Sequence, residues 1–264
     1  MMPEEKSPMK TKAEITANWL PRYTGVAVEE MSDYILLTNF NEYLHRFVAM
    51  TGGHIVDANR SMPSAQGQGM TLINFGMGSP NAATVCDLLS AVQPKAILFL
   101  GKCGGLRDRT KVGDLILPIG AIRGEGASDS YFPSEVPSLP AFMLQRATSH
   151  VIRNRNLDYW TGTVYTTNRR VWEHDEEFKE YLRITRALAI DMETATLFSA
   201  GFYNRLNLGA LLLVSDQPMT PEGVKTSDSD AKVSSDYVGT HISIGIETLE
   251  EIMNQGLSVR HLKF

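Results

Sequence analysis

Cysteine is scarce: the chain holds two, Cys86 and Cys103, too few for a disulfide framework and without metal-site spacing. Basic excess is missing too. With 25 Lys and Arg against 30 Asp and Glu, the formal net charge is -5, which argues against a broad nucleic-acid or anionic-membrane footprint. Long apolar runs are absent, since "AILFL" (96–100) and "GALLLVS" (209–215) fall far short of the roughly 20 residues that span a bilayer. The opening "MMPEEKSPMK" lacks the apolar segment of a secretory leader. The six histidines form no ligand-spaced cluster, so neither a metal nor a cofactor is expected. These absences predict a soluble cytoplasmic protein without a nucleic-acid or membrane partner, while a local basic pocket for one small anion remains compatible with them.

What is present is the composition of an ordinary globular chain, 43% hydrophobic and 21% charged over 264 residues, enough for one large domain with a substantial core. Apolar runs alternate with segments of helical spacing. "YILLT" (34–38) precedes the helical "NEYLHRFVAMTG" (41–52), and "MTLINFGMG" (70–78) leads into "SPNAATVCDLLSAV" (79–92), with Ser79 as the expected cap, before the strand "AILFLG" (96–101). Further strands are expected at 114–118, 160–167, 187–191 and 210–216, and helices at 140–154, 173–184 and 234–254. The pattern predicts an α/β fold, a single-domain αβα sandwich with a mixed central sheet over residues 31–264, preceded by an N-terminal arm at 1–30. The Pro, Gly and Ser-rich stretch 217–236 reads either as a mobile lid or as a solvated loop.

In open α/β sheets ligands collect at the carboxyl ends of strands, and four motifs fall there. "FGMGSPNAAT" (75–84) is a glycine turn opening a helix, where free N–H groups suit an anion, but Asn81 stands where a dinucleotide fingerprint has its third glycine. "LFLGKCGGLRD" (98–108) places Lys102 between Gly101 and Gly104, without the Walker spacing; it reads as a ligand-approaching backbone or as a strand-end turn with an outward lysine. "LLLVSDQP" (211–218) sets Asp216 at the rim of an apolar strand, where its charged form is disfavoured, so that it is either a general acid or a turn cap before Pro218. "AIDMETATLFSAG" (189–201) puts Asp191 and Glu193 against an otherwise small and apolar helix. Taken alone, Asp191 is an N-cap and Glu193 a first-turn carboxylate favoured by the helix dipole.

As an ordered set, "FGMGSPNAAT", "LGKCGGL", "TGTVY", "IDMETAT" and "VSDQP" resemble the nucleoside phosphorylase/nucleosidase superfamily over roughly residues 31–255. Within it, "NWLPRYTG", "DYILLTNF" and "TGTVYTTNRRVWE" look most like the catalytic domain of the AMP nucleosidases. The resemblance implies hydrolysis of AMP to adenine and ribose 5-phosphate, with Glu193 holding the ribose hydroxyls, Met192 beneath the sugar, Asp216 as acid at purine N7 and Tyr165 packed on the base. Many bacterial-type phosphorylases carry an Arg and a Ser for the attacking phosphate where this chain has Phe99 and Lys102 around Gly101, a departure that favours water as the nucleophile. The region of Asn39 is free to serve a 5′-phosphate, for which Arg46, Lys102, Arg169 and Arg170 are candidates; each arginine also reads as an ordinary ion-pair partner. A homo-oligomer, hexamer or dimer, is implied. The regulatory domain of longer AMP nucleosidases has no room in 264 residues, so their allosteric control is not expected. The alternatives are a purine nucleoside phosphorylase or 5′-substituted nucleosidase, and a nucleotide-binding regulator without turnover.

Overall fold

The structure is a computed structural model that describes residues 10–255. Residues 1–9 of the expected arm and 256–264 of the expected domain lie outside the described residues. Among the described residues nine strands form one mixed sheet: β1 (Tyr34–Thr38), β2 (His54–Ile55), β3 (Ser64–Gly67), β4 (Met70–Asn74), β5 (Ala96–Gly105), β6 (Leu115–Gly124), β7 (Trp160–Thr167), β8 (Ala189–Asp191) and β9 (Leu208–Asp216). Their order is β2-β3-β4-β1-β5-β8-β7-β6-β9, and β5 also pairs with β9, so that five strands close into a ring beside an open wing. Pairings of β1 with β4 and β5, and of β5 with β9, are parallel, whereas β5–β8 and β6–β9 are antiparallel.

The long apolar runs are explained by burial on both faces. Side chains alternate across a strand. In β1, Ile35 and Leu37 face one core cluster and Leu36 the other; in β9, Ala210, Leu212 and Val214 face the first, Leu211 and Leu213 the second. The first cluster is closed by α1 (Lys12–Thr24), α3 (Ser79–Leu89) and α6 (Thr194–Tyr203), and the second by α2 (Asn41–Thr51), α4 (Phe142–Asn154) and α8 (Val238–Gln255). Each fully buried Leu in these layers stabilises the fold by about 1.5–3 kcal/mol. The αβα reading therefore holds.

Several local expectations are corrected. The helix α3 begins after Gly78 rather than on a Ser79 cap; the Ser79 hydroxyl instead donates to the Met192 carbonyl at 2.6 Å. The glycines of "GKCGG" form no turn, because β5 runs through Gly105; a Cβ on Gly104 would lie 2.8 Å from Pro218, so glycine there lets two chain segments meet. The single helix expected at 234–254 is two, α7 (Ser227–Asp236) and α8, broken at Tyr237. The 217–236 stretch thus contains a 3-10 turn at Pro221–Gly223 and α7, whose start carries a Thr226/Ser229 capping box. Within residues 10–30, α1 is set by a Thr11/Glu14 capping box and ends at Gly25, with Leu20 fully buried in the first cluster. Among the described residues no helix is long and apolar enough to cross a membrane.

Candidate active site

Strand ends converge on a cleft that opens to solvent. Asn39 and Phe40 come from the end of β1, Lys102 from β5, Ser215 and Asp216 from the end of β9, and Met192 and Glu193 from the link between β8 and α6. The parallel arrangement of β1, β5 and β9 brings their carboxyl ends to the same edge, which is why distant motifs meet there.

The opening of α6 resolves the doubled carboxylate. Asp191 is consumed locally: its Oδ1 accepts from the Thr166 hydroxyl at 2.7 Å, and its Oδ2 accepts from the Thr194 N–H at 2.8 Å and the Glu193 N–H at 3.3 Å. Asp191 thereby serves the free N–H groups of the helix start, although Glu193 occupies the N-cap position. Glu193 turns the other way, into the cleft. Its Oε1 accepts from the Gly78 N–H at 2.7 Å and its Oε2 from the Met192 N–H at 3.2 Å. Burial, and then the Asp191 charge, push the Glu193 carboxyl up to about 8, against the opposing hydrogen bonds from Gly78, Met192 and Asn39. Asn39 Oδ1 is buried without a hydrogen-bond partner.

Asp216 lines the same cleft. Burial raises its pKa above the usual carboxylate range, opposed by the Ser215 hydroxyl and by the charges of Lys225 and Arg170, and assisted by Glu173. A carboxyl in this setting is able to hold a proton and deliver it to a ligand.

A cationic end completes the cleft. The Lys102 side chain, 3% exposed, points inward and donates to Asp230 at 3.1 Å and to the Ser234 hydroxyl at 3.0 Å. Lys225 reaches the same Asp230 oxygen at 2.9 Å, and the two ammonium groups lie 4.6 Å and 6.0 Å from the Phe40 ring centroid. Although partial burial works against it, Asp230 is held below its ordinary pKa by its hydrogen bonds from Lys225 and Lys102. One carboxylate therefore faces two lysines, leaving a local excess of positive charge suited to an anion.

Of the residues expected from the sequence, Asp216, Glu193, Met192, Lys102, Asn39, Arg169 and Arg170 line the cleft, whereas Tyr165, Gly101 and Arg46 do not. Tyr165 sits in a satellite core, edge-on to Phe178 and Tyr181. Gly101 lies within β5, and a Cβ there would come 2.4 Å from the Phe99 ring. Arg46 ties α2 to α7, bonding Glu42 at 3.0 Å and the Ser234 carbonyl at 3.1 Å. Arg169 pairs with Asp175 at 2.9 Å, and Arg170 with Glu173 at 3.4 Å. The outward lysine expected at Lys102 as one reading is replaced by a buried one. Sequence reasoning missed Lys225, Trp172 and Glu173. Trp172 follows β7 as an aromatic bordering the cleft, a signal present in "RRVWE" but overshadowed by Tyr165. Among the described residues no group of three or more His, Cys, Asp or Glu is placed to hold a metal ion.

Comparison with known proteins follows the same outline. The Phosphorylase superfamily pattern matches residues 24–250. An AMP nucleosidase of Escherichia coli is 29% identical over 304 aligned positions, which cover 96% of this chain and 63% of that protein; the chain thus spans less than two thirds of that curated relative. The crystal structure of an AMP nucleosidase from Bacteroides thetaiotaomicron superposes with a TM-score of 0.82 and 54% identity, covering 92% of this chain and 98% of that one. A uridine phosphorylase from Vibrio fischeri shares the fold at a TM-score of 0.75 and 23% identity, covering 87% of this chain and 95% of its own.

Proposed function

This chain belongs to the Phosphorylase superfamily, and we propose that it hydrolyses the N-glycosidic bond of AMP to adenine and ribose 5-phosphate. The observation that carries the reading is the placement of Asp216 and Glu193, both raised by burial, in one cleft with the Lys102 and Lys225 ammonium groups. Similarity to the Bacteroides AMP nucleosidase over nearly the whole of both chains supports it.

Each part of the substrate has a partner. Glu193, held by the Gly78 and Met192 N–H groups, accepts hydrogen bonds from the ribose hydroxyls, and Met192 lies beneath the sugar. Lys102 and Lys225 take the phosphate, which competes with Asp230 for them. Water adds at C1′ and sheds one proton to solvent, the C1′–N9 bond breaks with its electron pair moving to the purine, and Asp216 gives its proton to N7 and is reprotonated from solvent. Because that proton is needed most as charge builds on the leaving base, it lowers the barrier rather than the substrate's dissociation constant. Trp172, rather than Tyr165, borders the space for the base.

Phe99, at the position where the phosphorylases place a phosphate-binding Arg, is fully buried against Phe75, with ring centroids 5.6 Å apart. That favours water over phosphate as the nucleophile. The same reading includes a homo-oligomer, dimer or hexamer, supported by Phe202 and Tyr203, each about half exposed and packed on Phe132; light scattering showing only monomers at micromolar concentration would contradict it. It also includes a cytoplasmic setting, supported by two free, buried cysteines.

The test compares wild type with Asp216→Asn. Wild type releases adenine from AMP, and the variant binds AMP within severalfold of wild type while turnover falls by about 10²- to 10⁴-fold. Equal losses in binding and turnover would remove the acid role, and no adenine release from wild type would remove the activity.

A further inference from the structure

We propose that Ser79 is a positioning residue for the reaction: its hydroxyl holds the Met192–Glu193 peptide unit and thereby aims the Glu193 carboxyl at the ribose hydroxyls. The inference rests on the reading above, in which Glu193 holds those hydroxyls, and adds a residue that does not itself line the cleft. Ser79 is the first residue of α3 and is 3% exposed, and its hydroxyl donates to the Met192 carbonyl at 2.6 Å. The opposite edge of the same peptide unit, the Glu193 N–H, donates to Asp191 Oδ2 at 3.3 Å. A hydroxyl from α3 and a carboxylate from the end of β8 thus grip one peptide plane from both edges.

Regular structure does not fix that plane. The next peptide unit belongs to α6, since the Glu193 carbonyl accepts from the Leu197 N–H at 2.9 Å. Glu193 itself stands at φ -134 and ψ -36, neither helical nor extended, so neither a helix nor a strand sets the Met192–Glu193 unit before it. Because a peptide unit turns as one rigid plane, its rotation changes φ of Glu193 and swings the direction of the side chain. At the other end of that side chain, the Gly78 N–H donates to Oε1 at 2.7 Å. Gly78 and Ser79, adjacent in the chain, therefore fix the tip and the root of one catalytic side chain. The Ser79 hydroxyl has no part in capping α3, whose N-cap is Gly78, and alanine is the better helix former. Removing the hydroxyl therefore acts on the Met192 carbonyl and not on the helix that carries it.

The test measures kcat/KM for AMP and for 2′,3′-dideoxyAMP, which has no hydroxyls for Glu193 to hold, with wild type, Ser79→Ala, Glu193→Ala and the double variant. Ser79→Ala is expected to lower the AMP value about tenfold or more, because misplacement of a positioned group is felt directly in the rate. Its effect on 2′,3′-dideoxyAMP stays below about threefold, and in the Glu193→Ala background it costs AMP less than about threefold, since nothing is left to aim. Equal losses on the two substrates, or an undiminished loss in the Glu193→Ala background, would show a merely structural role and overturn the inference. Calorimetric binding of the same two nucleotides separates this from failure of the activity. Should wild type cleave neither, the activity is refuted, while AMP binding weakened in Ser79→Ala with 2′,3′-dideoxyAMP binding unchanged still supports Ser79; an equal change in both overturns it.

Discussion

The Gly78 N–H donates to Glu193 Oε1 at 2.7 Å, joining residues 115 positions apart in the chain. That bond fixes the cleft carboxylate from the far side, and it depends on the Gly78 backbone at φ 93 and ψ 158, a region open essentially to glycine. Gly78→Ala is therefore expected to lose about 1–3 kcal/mol of stability in urea titration. AMP turnover per folded molecule should drop by tenfold or more as Glu193 loses its support. A variant matching wild type in both would show that the turn is not what holds Glu193.

Glu193 also sets a pH dependence of stability. Its carboxyl is pushed up to about 8 in the folded protein, by burial and then by Asp191, from an ordinary 4.5. Between these values the folded chain keeps a proton that the unfolded chain has released, so raising the pH favours unfolding. The stabilisation is full below about 4.5 and is lost as the pH rises through about 8. Urea titrations of wild type from pH 5 to pH 8 should show stability falling by an amount on the order of a few kcal/mol, with a shallower fall in Glu193→Gln. Equal slopes for the two proteins would refute the assignment.

The lysine pair separates phosphate binding from chemistry on the sugar. Each charge-assisted contact contributes about 1.5–3 kcal/mol, so Lys102→Met or Lys225→Met should raise KM for AMP about ten- to hundredfold. Cleavage of adenosine, which carries no phosphate, should change less than about threefold. In either variant the remaining lysine still neutralises Asp230. Losses of equal size on AMP and adenosine would mean that the pair supports the fold rather than the phosphate.

Much of this was legible in the sequence, and what escaped did so for physical reasons. The apolar runs around Ile35 and Leu211 announce strands buried on both faces, and the strand-helix alternation announces layers, because both are local patterns. Ser79 looked like a cap because its type and position suit one; the hydroxyl is instead engaged by Met192, 113 residues away, a pairing no local rule carries. The glycines at 101–105 signal a turn equally well whether they bend the chain or let it pass Phe99 and Pro218 closely, and only tertiary packing decides. Lys225 was hidden for a related reason: it gains meaning from a partner, Asp230, that folding brings beside it. Asp191 and Glu193 were found, but the division of labour between them, one spent on the helix start and the other free for the cleft, is a matter of side-chain direction.

The central claim is tested most directly by incubating the purified protein with AMP, and separately with adenosine, each with and without inorganic phosphate, and identifying both products. Adenine and ribose 5-phosphate formed from AMP without added phosphate is the predicted result. Release of ribose 1-phosphate from adenosine only when phosphate is supplied would contradict it and make the protein a phosphorylase.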